Sequence, residues 1–238
     1  MIIDIITIFP EMFNDFLSTS IVKRAQEDGK VVINLHQLRD YSHNKHRNID
    51  DTPYGGGTGM LMTFPPFYDV ITKLRKDHSK VIYLSPQGKI LDQQIAFNLA
   101  ECEHLILLCG HYEGIDERVL NLVDYEISIG DYILTGGELA VMVLVDVITR
   151  LIPGVITEES VTEDSLTDGL LKYPQYTKPR TYKGFGVPDI LLSGHHEEIE
   201  KWRKRESLKQ TLLKRPDLLE KKTLTDAELE IIKSIKDR

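Results

Sequence analysis

The chain has 238 residues, 41% of them hydrophobic, which supports an ordinary buried core in one large domain or two smaller ones. A net charge of −8 argues against a uniformly basic nucleic-acid binder, and two cysteines, Cys102 and Cys109, make no disulfide framework and have no metal-type spacing. The longest nearly uncharged apolar stretch, residues 139–145, is too short to cross a bilayer, and residues 1–4 lack the basic region of a secretory signal, so a cytoplasmic location without a membrane partner is expected.

Residues 2–9, 31–35, 80–84 and 105–109 are Ile-, Val- and Leu-rich runs that predict strands. Residues 92–100 predict a helix, with Ile95 and Leu99 one turn apart on the same face. Such alternation favours a mostly parallel sheet covered on both faces. The run 105–109 breaks off into Gly110-His111-Tyr112-Glu113-Gly114-Ile115-Asp116, and a second glycine-rich stretch follows over 128–137. Open α/β sheets bind ligands at the carboxyl ends of their strands, and backbone without Cβ lets a small molecule approach closely. A small polar ligand is expected in these loops. Thr135 and Glu138 have capping-box spacing ahead of residues 139–148, which are apolar except for Asp146; that helix is expected to be buried, in the core or at a subunit interface.

Residues 157–188 are polar and rich in proline and glycine, the composition of a linker. Ser193 is expected to cap a helix running to Lys214 with Glu197–Lys201 and Glu200–Lys204 pairs, and Pro216 to stop it. Thr225 and Glu228 form a second capping box before a short terminal helix. Charge divides along the chain: residues 1–166 carry 13 basic and 25 acidic side chains, net −12, while residues 167–238 carry 16 and 12, net +4. In the window 201–215, Lys201, Arg203, Lys204, Arg205, Lys209, Lys214 and Arg215 face only Glu206, a pattern shared by phosphate-binding stripes and by solvated helix faces.

Residues 54–60, Tyr-Gly-Gly-Gly-Thr-Gly-Met, have neither the Walker lysine nor dinucleotide-binding spacing, and read as a turn. His43 and His46 lack a third ligand for zinc.

Together, Ile5-Ile6-Thr7-Ile8-Phe9-Pro10-Glu11-Met12-Phe13, Asp50-Asp51-Thr52-Pro53-Tyr54 with the glycines after it, Tyr83-Leu84-Ser85-Pro86-Gln87-Gly88, Cys109 to Arg118, Ser128-Ile129-Gly130-Asp131-Tyr132, Thr162-Glu163-Asp164-Ser165 and Leu191-Leu192-Ser193-Gly194 resemble the bacterial tRNA (guanine-N1)-methyltransferases. That family modifies guanosine 37, next to the anticodon, and belongs to the SPOUT superfamily of knotted enzymes. His111, where relatives often carry arginine, is the most visible departure.

The resemblance implies an α/β fold of SPOUT type: a mostly parallel sheet with a C-terminal trefoil knot over 1–157, a flexible linker over 158–188 and a small helical tRNA-binding domain over 189–238. It implies S-adenosylmethionine as methyl donor, held by Leu84, Pro86, Gly110, Tyr112, Glu113, Ile129, Gly130, Asp131, Tyr132, Ile133, Leu134, Gly136 and Gly137. Glu113 would face the donor's cationic methionyl end. Asp164 matches the family's general base and Arg150 its O6-facing arginine. The family works as a homodimer, and its members have been linked to magnesium, for which the sequence offers no ligand cluster. Lys201, Arg203, Arg205 and Lys209 become candidates for holding the anticodon stem-loop of the tRNA; the aromatic and basic residues at 173–180 read equally as RNA contacts or as turn residues. Competing readings are a knotted methyltransferase acting on another RNA site, a non-catalytic RNA-binding homologue, and a nicotinamide-dependent enzyme whose fingerprint spacing is missing.

Overall fold

Residues 1–157, 160 and 164–236 are described by the computed structural model; Thr162 and Glu163 of the motif around Asp164, and residues 158, 159 and 161 of the expected linker, lie outside the described residues. The chain divides into two compact units, Met1–Thr157 and Glu158–Arg238. No helix among the described residues is long and apolar enough to cross a membrane.

In the first unit, β1 (Ile2–Thr7), β2 (Val32–Gln37), β5 (Ser79–Ile90), β6 (His104–Cys109) and β7 (Tyr125–Ser128) form one parallel sheet in the order β2-β1-β6-β5-β7. Two short strands, β3 (Asp50–Asp51) and β4 (Leu61–Met62), pair antiparallel beneath the glycine-rich loop 54–60. Strand alternation sends Ile3, Ile5, Ile82, Leu84, Leu105 and Leu107 to one face, where Val141, Leu144, Val145 and Ile148 of α5 (Glu138–Thr149) cover them. Ile6, Val81, Ile106 and Leu108 point to the other face and meet Phe67, Val70 and Ile71 of α3 (Phe64–Leu74). The remaining α-helices of this unit are α1 (Asn14–Leu17), α2 (Ser20–Glu27) and α4 (Gln93–Ala100). Asp92 caps α4, accepting from the Ile95 amide at 2.8 Å. Both faces of the sheet are thus covered, as the alternating sequence pattern predicts.

One expectation at α5 is corrected. No capping box forms at α5: its N-cap is Gly137, and the Glu138 side chain turns inward. Thr7 Oγ1 donates to Glu138 Oε1 at 2.8 Å and His111 Nε2 lies 3.1 Å from Oε2, and this buried bonding takes the carboxylate away from the cap. The core face of α5 is buried as expected, while Leu139 and Val143, one turn apart, are 49% and 44% exposed in the single chain and form the face left to the expected subunit interface.

A buried polar network ties the amino ends of the strands together. Asn34 Nδ2 donates to Asp4 Oδ1 (2.9 Å), His36 Nε2 lies 2.8 Å from the same oxygen, and His104 Nε2 lies 2.7 Å from Oδ2. His104 Nδ1 in turn meets Ser79 Oγ at 2.7 Å. Burial opposes ionisation of Asp4, but the hydrogen bonds from His36, Asn34 and His104 outweigh it and hold its pKa down to about 2, against an ordinary 3.8. A carboxyl depressed on folding stabilises fully above its unfolded pKa, and that stabilisation drains away as pH falls from about 4 to about 2. The shift corresponds to about 2 kcal/mol. Asp4→Asn is expected to flatten this acid limb, so that its urea midpoint falls less than the wild-type midpoint between pH 6 and pH 2.5. Equal losses in the two proteins would remove Asp4 from the acid response.

In the second unit, α6 (His196–Lys214), α7 (Pro216–Lys221) and α8 (Asp226–Lys236) gather Leu208 and Ile232 around Leu170. Ser193 does not cap α6: its hydroxyl accepts from the His195 amide (3.1 Å), and the helix begins three residues later. Pro216 ends α6 and starts α7 at a position where its missing N–H is harmless. The Thr225–Glu228 capping box forms, with the Thr225 amide donating to Glu228 Oε2 (2.8 Å) and the Glu228 amide to Thr225 Oγ1 (3.3 Å). Residues 164–188 hold more structure than their composition suggests. Leu170 is buried, Ser207 Oγ donates to the Leu171 carbonyl (2.5 Å), and β8 (Thr181–Tyr182) and β9 (Phe185–Gly186) form a hairpin.

Candidate active site

The carboxyl ends of β6 and β7 and the middle of β5 open into a cavity of about 290 Å³. Its walls come from Tyr83 to Pro86 in the middle of β5 and from the loops after Cys109 and Ser128, with Ala140 of α5 below. Leu84, Pro86, Gly110, Tyr112, Glu113, Ile129, Gly130, Tyr132, Ile133, Leu134, Gly136 and Gly137, all singled out in the sequence, line this one cavity. Asp131 is the exception: it is exposed and does not line it.

Two glycines here are required by geometry. A Cβ on Gly137 would sit 2.9 Å from both Cys109 Cα and Gly110 N, all backbone, and the Gly137 amide donates to the Gly110 carbonyl at 2.8 Å. The start of α5 is thereby pressed onto the loop leaving β6. Gly130 adopts φ +148, and a Cβ there would run into the Tyr132 ring. Tyr112, which is not glycine, also takes a left-handed backbone at φ +59 on the cavity wall, the kind of local strain that clusters at ligand sites.

Tyr83 and His111 of the wall and Glu138 behind it were not among the expected site residues. Tyr83 stands beneath Gly110, and burial, helped by Glu126 and Glu117, pushes its phenol up to about 12, so it stays a neutral hydrogen-bonding group. His111 reaches back to the buried Glu138, its ring edge-on to Phe9 at 5.1 Å. Glu138, fully buried behind the wall, fastens the end of β1 to the loop after β6. Their roles depend on contacts across 27 to 131 residues of chain, which no local motif encodes. The glycine-rich loop 54–60 is also tied in, since the Glu113 amide donates to the Met60 carbonyl at 3.0 Å.

Arg150 is the half-buried C-cap of α5 in the first unit. Asp164 belongs to the second unit, where it lines a cavity of about 190 Å³ with Asp168, Lys172, Tyr173, Glu200 and Arg203. The basic stripe of α6 carries its own counter-ions, several of them supplied by Glu197, Glu198 and Glu200 just ahead of the window 201–215. Lys201 Nζ lies 2.8 Å from Glu197 and 3.0 Å from Glu198, and the Arg203 guanidinium is 2.5 Å from Glu200 and stacks 5.0 Å from the Tyr173 ring centre. Lys209 is 3.8 Å from Glu206. The expected Glu200–Lys204 pair is replaced by Lys204–Glu228 at 2.7 Å, because α8 brings a better-placed carboxylate. Arg205 lies half-buried on the same helix. Among the described residues no cluster of three or more His, Cys, Asp or Glu side chains is gathered as for a metal ion.

Residues 1–221 match the family model described as tRNA (Guanine-1)-methyltransferase TrmD. The chain is 61% identical over 237 residues to a tRNA (guanine-N(1)-)-methyltransferase of Aster yellows witches'-broom phytoplasma, covering 99% of this chain and 98% of that one. Proteins carrying the same name from Acholeplasma laidlawii and Dictyoglomus turgidum are 60% and 54% identical, over 99% and 98% of this chain and 98% and 96% of their own.

Proposed function

The chain belongs to the tRNA (guanine-1)-methyltransferase family, and we propose that it moves a methyl group from S-adenosylmethionine to N1 of guanosine 37 in tRNA. The observation that carries this reading is one cavity that gathers twelve of the thirteen residues implicated in donor binding, in a chain matched along almost its whole length. The cavity fits such a molecule in size and character. About 290 Å³ is near the lower end for small-molecule sites, and glycine backbone offers N–H and C=O groups at close range. The Glu113 carboxylate is the group to receive the donor's ammonium. The trefoil knot that the family resemblance implies would lie at this end of the sheet, where the loops after β6 and β7 close against β5. Ile127 of β7 pairs with both Leu84 and Lys89 of β5, and Gly137 bonds to Gly110.

When bound, the donor supplies an electrophilic methyl on a sulfonium. Guanine N1 bears a proton and its lone pair is delocalised into the ring amide, so attack on that methyl requires the proton to leave while negative charge moves to O6. Asp164 takes the proton as general base. Arg150 offsets the charge at O6. Alignment supplies the rest. The base lies on the segment between the sheet and α6, so ordering of that segment by substrate RNA would couple specificity to chemistry. The target guanosine would be flipped from its stack.

The exposed Leu139 and Val143 on α5, with Ile133 81% exposed nearby in sequence, favour a homodimer in which a second copy covers this apolar face. Lys201, Arg203 and Lys209 would exchange glutamate partners for the phosphates of the anticodon stem-loop, a change that costs little for solvent-accessible pairs, and Arg205 on the same helix would join them. Calorimetry tests the donor assignment. Saturable binding of S-adenosylmethionine at one site per chain, with no response to nicotinamide dinucleotides, is expected; the reverse pattern would overturn it.

A further inference from the structure

Residues 169–188 contain Lys172, Lys178, Arg180 and Lys183 and no aspartate or glutamate, and they also hold Tyr173, Tyr176, Tyr182 and Phe185. This segment differs from α6, whose cations are interleaved with glutamates. At its far end Tyr182 of β8 stands directly opposite Phe185 of β9. The two residues between them, Lys183 and Gly184, both have positive φ, +49 and +86, as the tightest hairpin turns require. Directly opposed residues of a hairpin share a face, so both side chains leave the hairpin on the same side. They are exposed by 62% and 84%, although aromatic surface in water is unfavourable unless something covers it. Lys183 Nζ lies 5.5 Å from the centre of the Tyr182 ring. Arg180 is paired with Asp189 at 3.1 Å, but both side chains are largely exposed and the pair opens easily.

Rings that accept a stacked base, flanked by cations that accept phosphate, are the recognition chemistry of single-stranded nucleic acid, and phosphate would take the place of Asp189 on Arg180. We propose that the β8–β9 hairpin is a docking platform for an unpaired nucleotide of the substrate RNA, with Tyr182 and Phe185 holding the base and Lys183 and Arg180 the adjoining phosphates. The proposal rests on the tRNA methyltransferase reading and assigns it a contact outside both the donor cavity and the α6 stripe.

Two full-length variants test it: Tyr182→Ala/Phe185→Ala, and Lys183→Gly, which removes the ammonium while keeping a residue suited to positive φ. Affinity for an unmodified tRNA transcript is measured across a salt series, alongside S-adenosylmethionine affinity and thermal midpoint. The double variant is expected to bind tRNA about 10-fold or more weakly with an unchanged salt slope. Lys183→Gly is expected to reduce the slope by about 0.7 to 0.9, one phosphate contact. Donor affinity and melting should match wild type in both. Wild-type tRNA affinity and slope in both variants would overturn the platform while leaving the methyltransferase reading intact. Loss of self-association at unchanged tRNA affinity would also overturn it, marking the hairpin as a protein contact. A wild-type protein that neither bound nor methylated tRNA would overturn the reading beneath, and the platform with it.

Discussion

Asp164→Ala is expected to lower methyl transfer to tRNA by about 10² to 10⁴-fold, the range that a positioned general base contributes. Without a base the N1 proton has nowhere to go, and the delocalised lone pair is a poor nucleophile. Asp164 belongs to the second unit, whereas every residue lining the donor cavity belongs to the first. S-adenosylmethionine affinity should therefore stay within about twofold of wild type, since the loss falls on a transition-state interaction alone. Single-turnover rates with saturating tRNA, beside calorimetric donor affinity, separate the two. Near-normal turnover would remove Asp164 from the mechanism.

The second large effect is expected at Gly137. A Cβ there meets Cys109 Cα and Gly110 N at 2.9 Å, and neither is a side chain that can swing aside. Gly137→Ala must push the start of α5 off the loop leaving β6 and break the 2.8 Å bond between the Gly137 amide and the Gly110 carbonyl. Overpacking of this kind costs about 1–3 kcal/mol of stability. Because both displaced segments are cavity walls, donor affinity should fall by about 10-fold or more, roughly the equivalent of 1.4 kcal/mol. Calorimetry on variant protein with a native circular dichroism spectrum checks this. Wild-type affinity in such a protein would show that the close approach is not needed to hold the donor.

Much of this architecture is legible in the sequence because burial writes itself into runs of one residue class. β1 and β6 sit in the middle of a parallel sheet, covered on both faces, so their residues are almost continuously apolar. β7 has no such signal: Tyr125-Glu126-Ile127-Ser128 is a short edge strand with only one large apolar side chain buried. β5 runs to Ile90, past Pro86 and Gly88, which read as its end. Pairing resumes there because Ile127 is met twice, a register shift that no local pattern announces. Within the site, glycines between strand and helix betray the cavity. Yet Asp131 shares the motif and faces solvent, while Tyr83, His111 and Glu138 enter through contacts made only on folding. The cations of α6 show the same limit. Lys204 has an intrahelical partner in sequence but chooses Glu228 from α8, a preference set by packing.

The most direct measurement mixes purified protein and methyl-labelled S-adenosylmethionine with two unmodified tRNA transcripts, one bearing guanosine at position 37 and the other adenosine. Label should enter the guanosine transcript and appear as 1-methylguanosine on nucleoside analysis, while the adenosine transcript stays unlabelled. Equal labelling of both transcripts, or label on a ribose or another base, would contradict the assignment of guanine N1 as the acceptor and of Asp164 as its base.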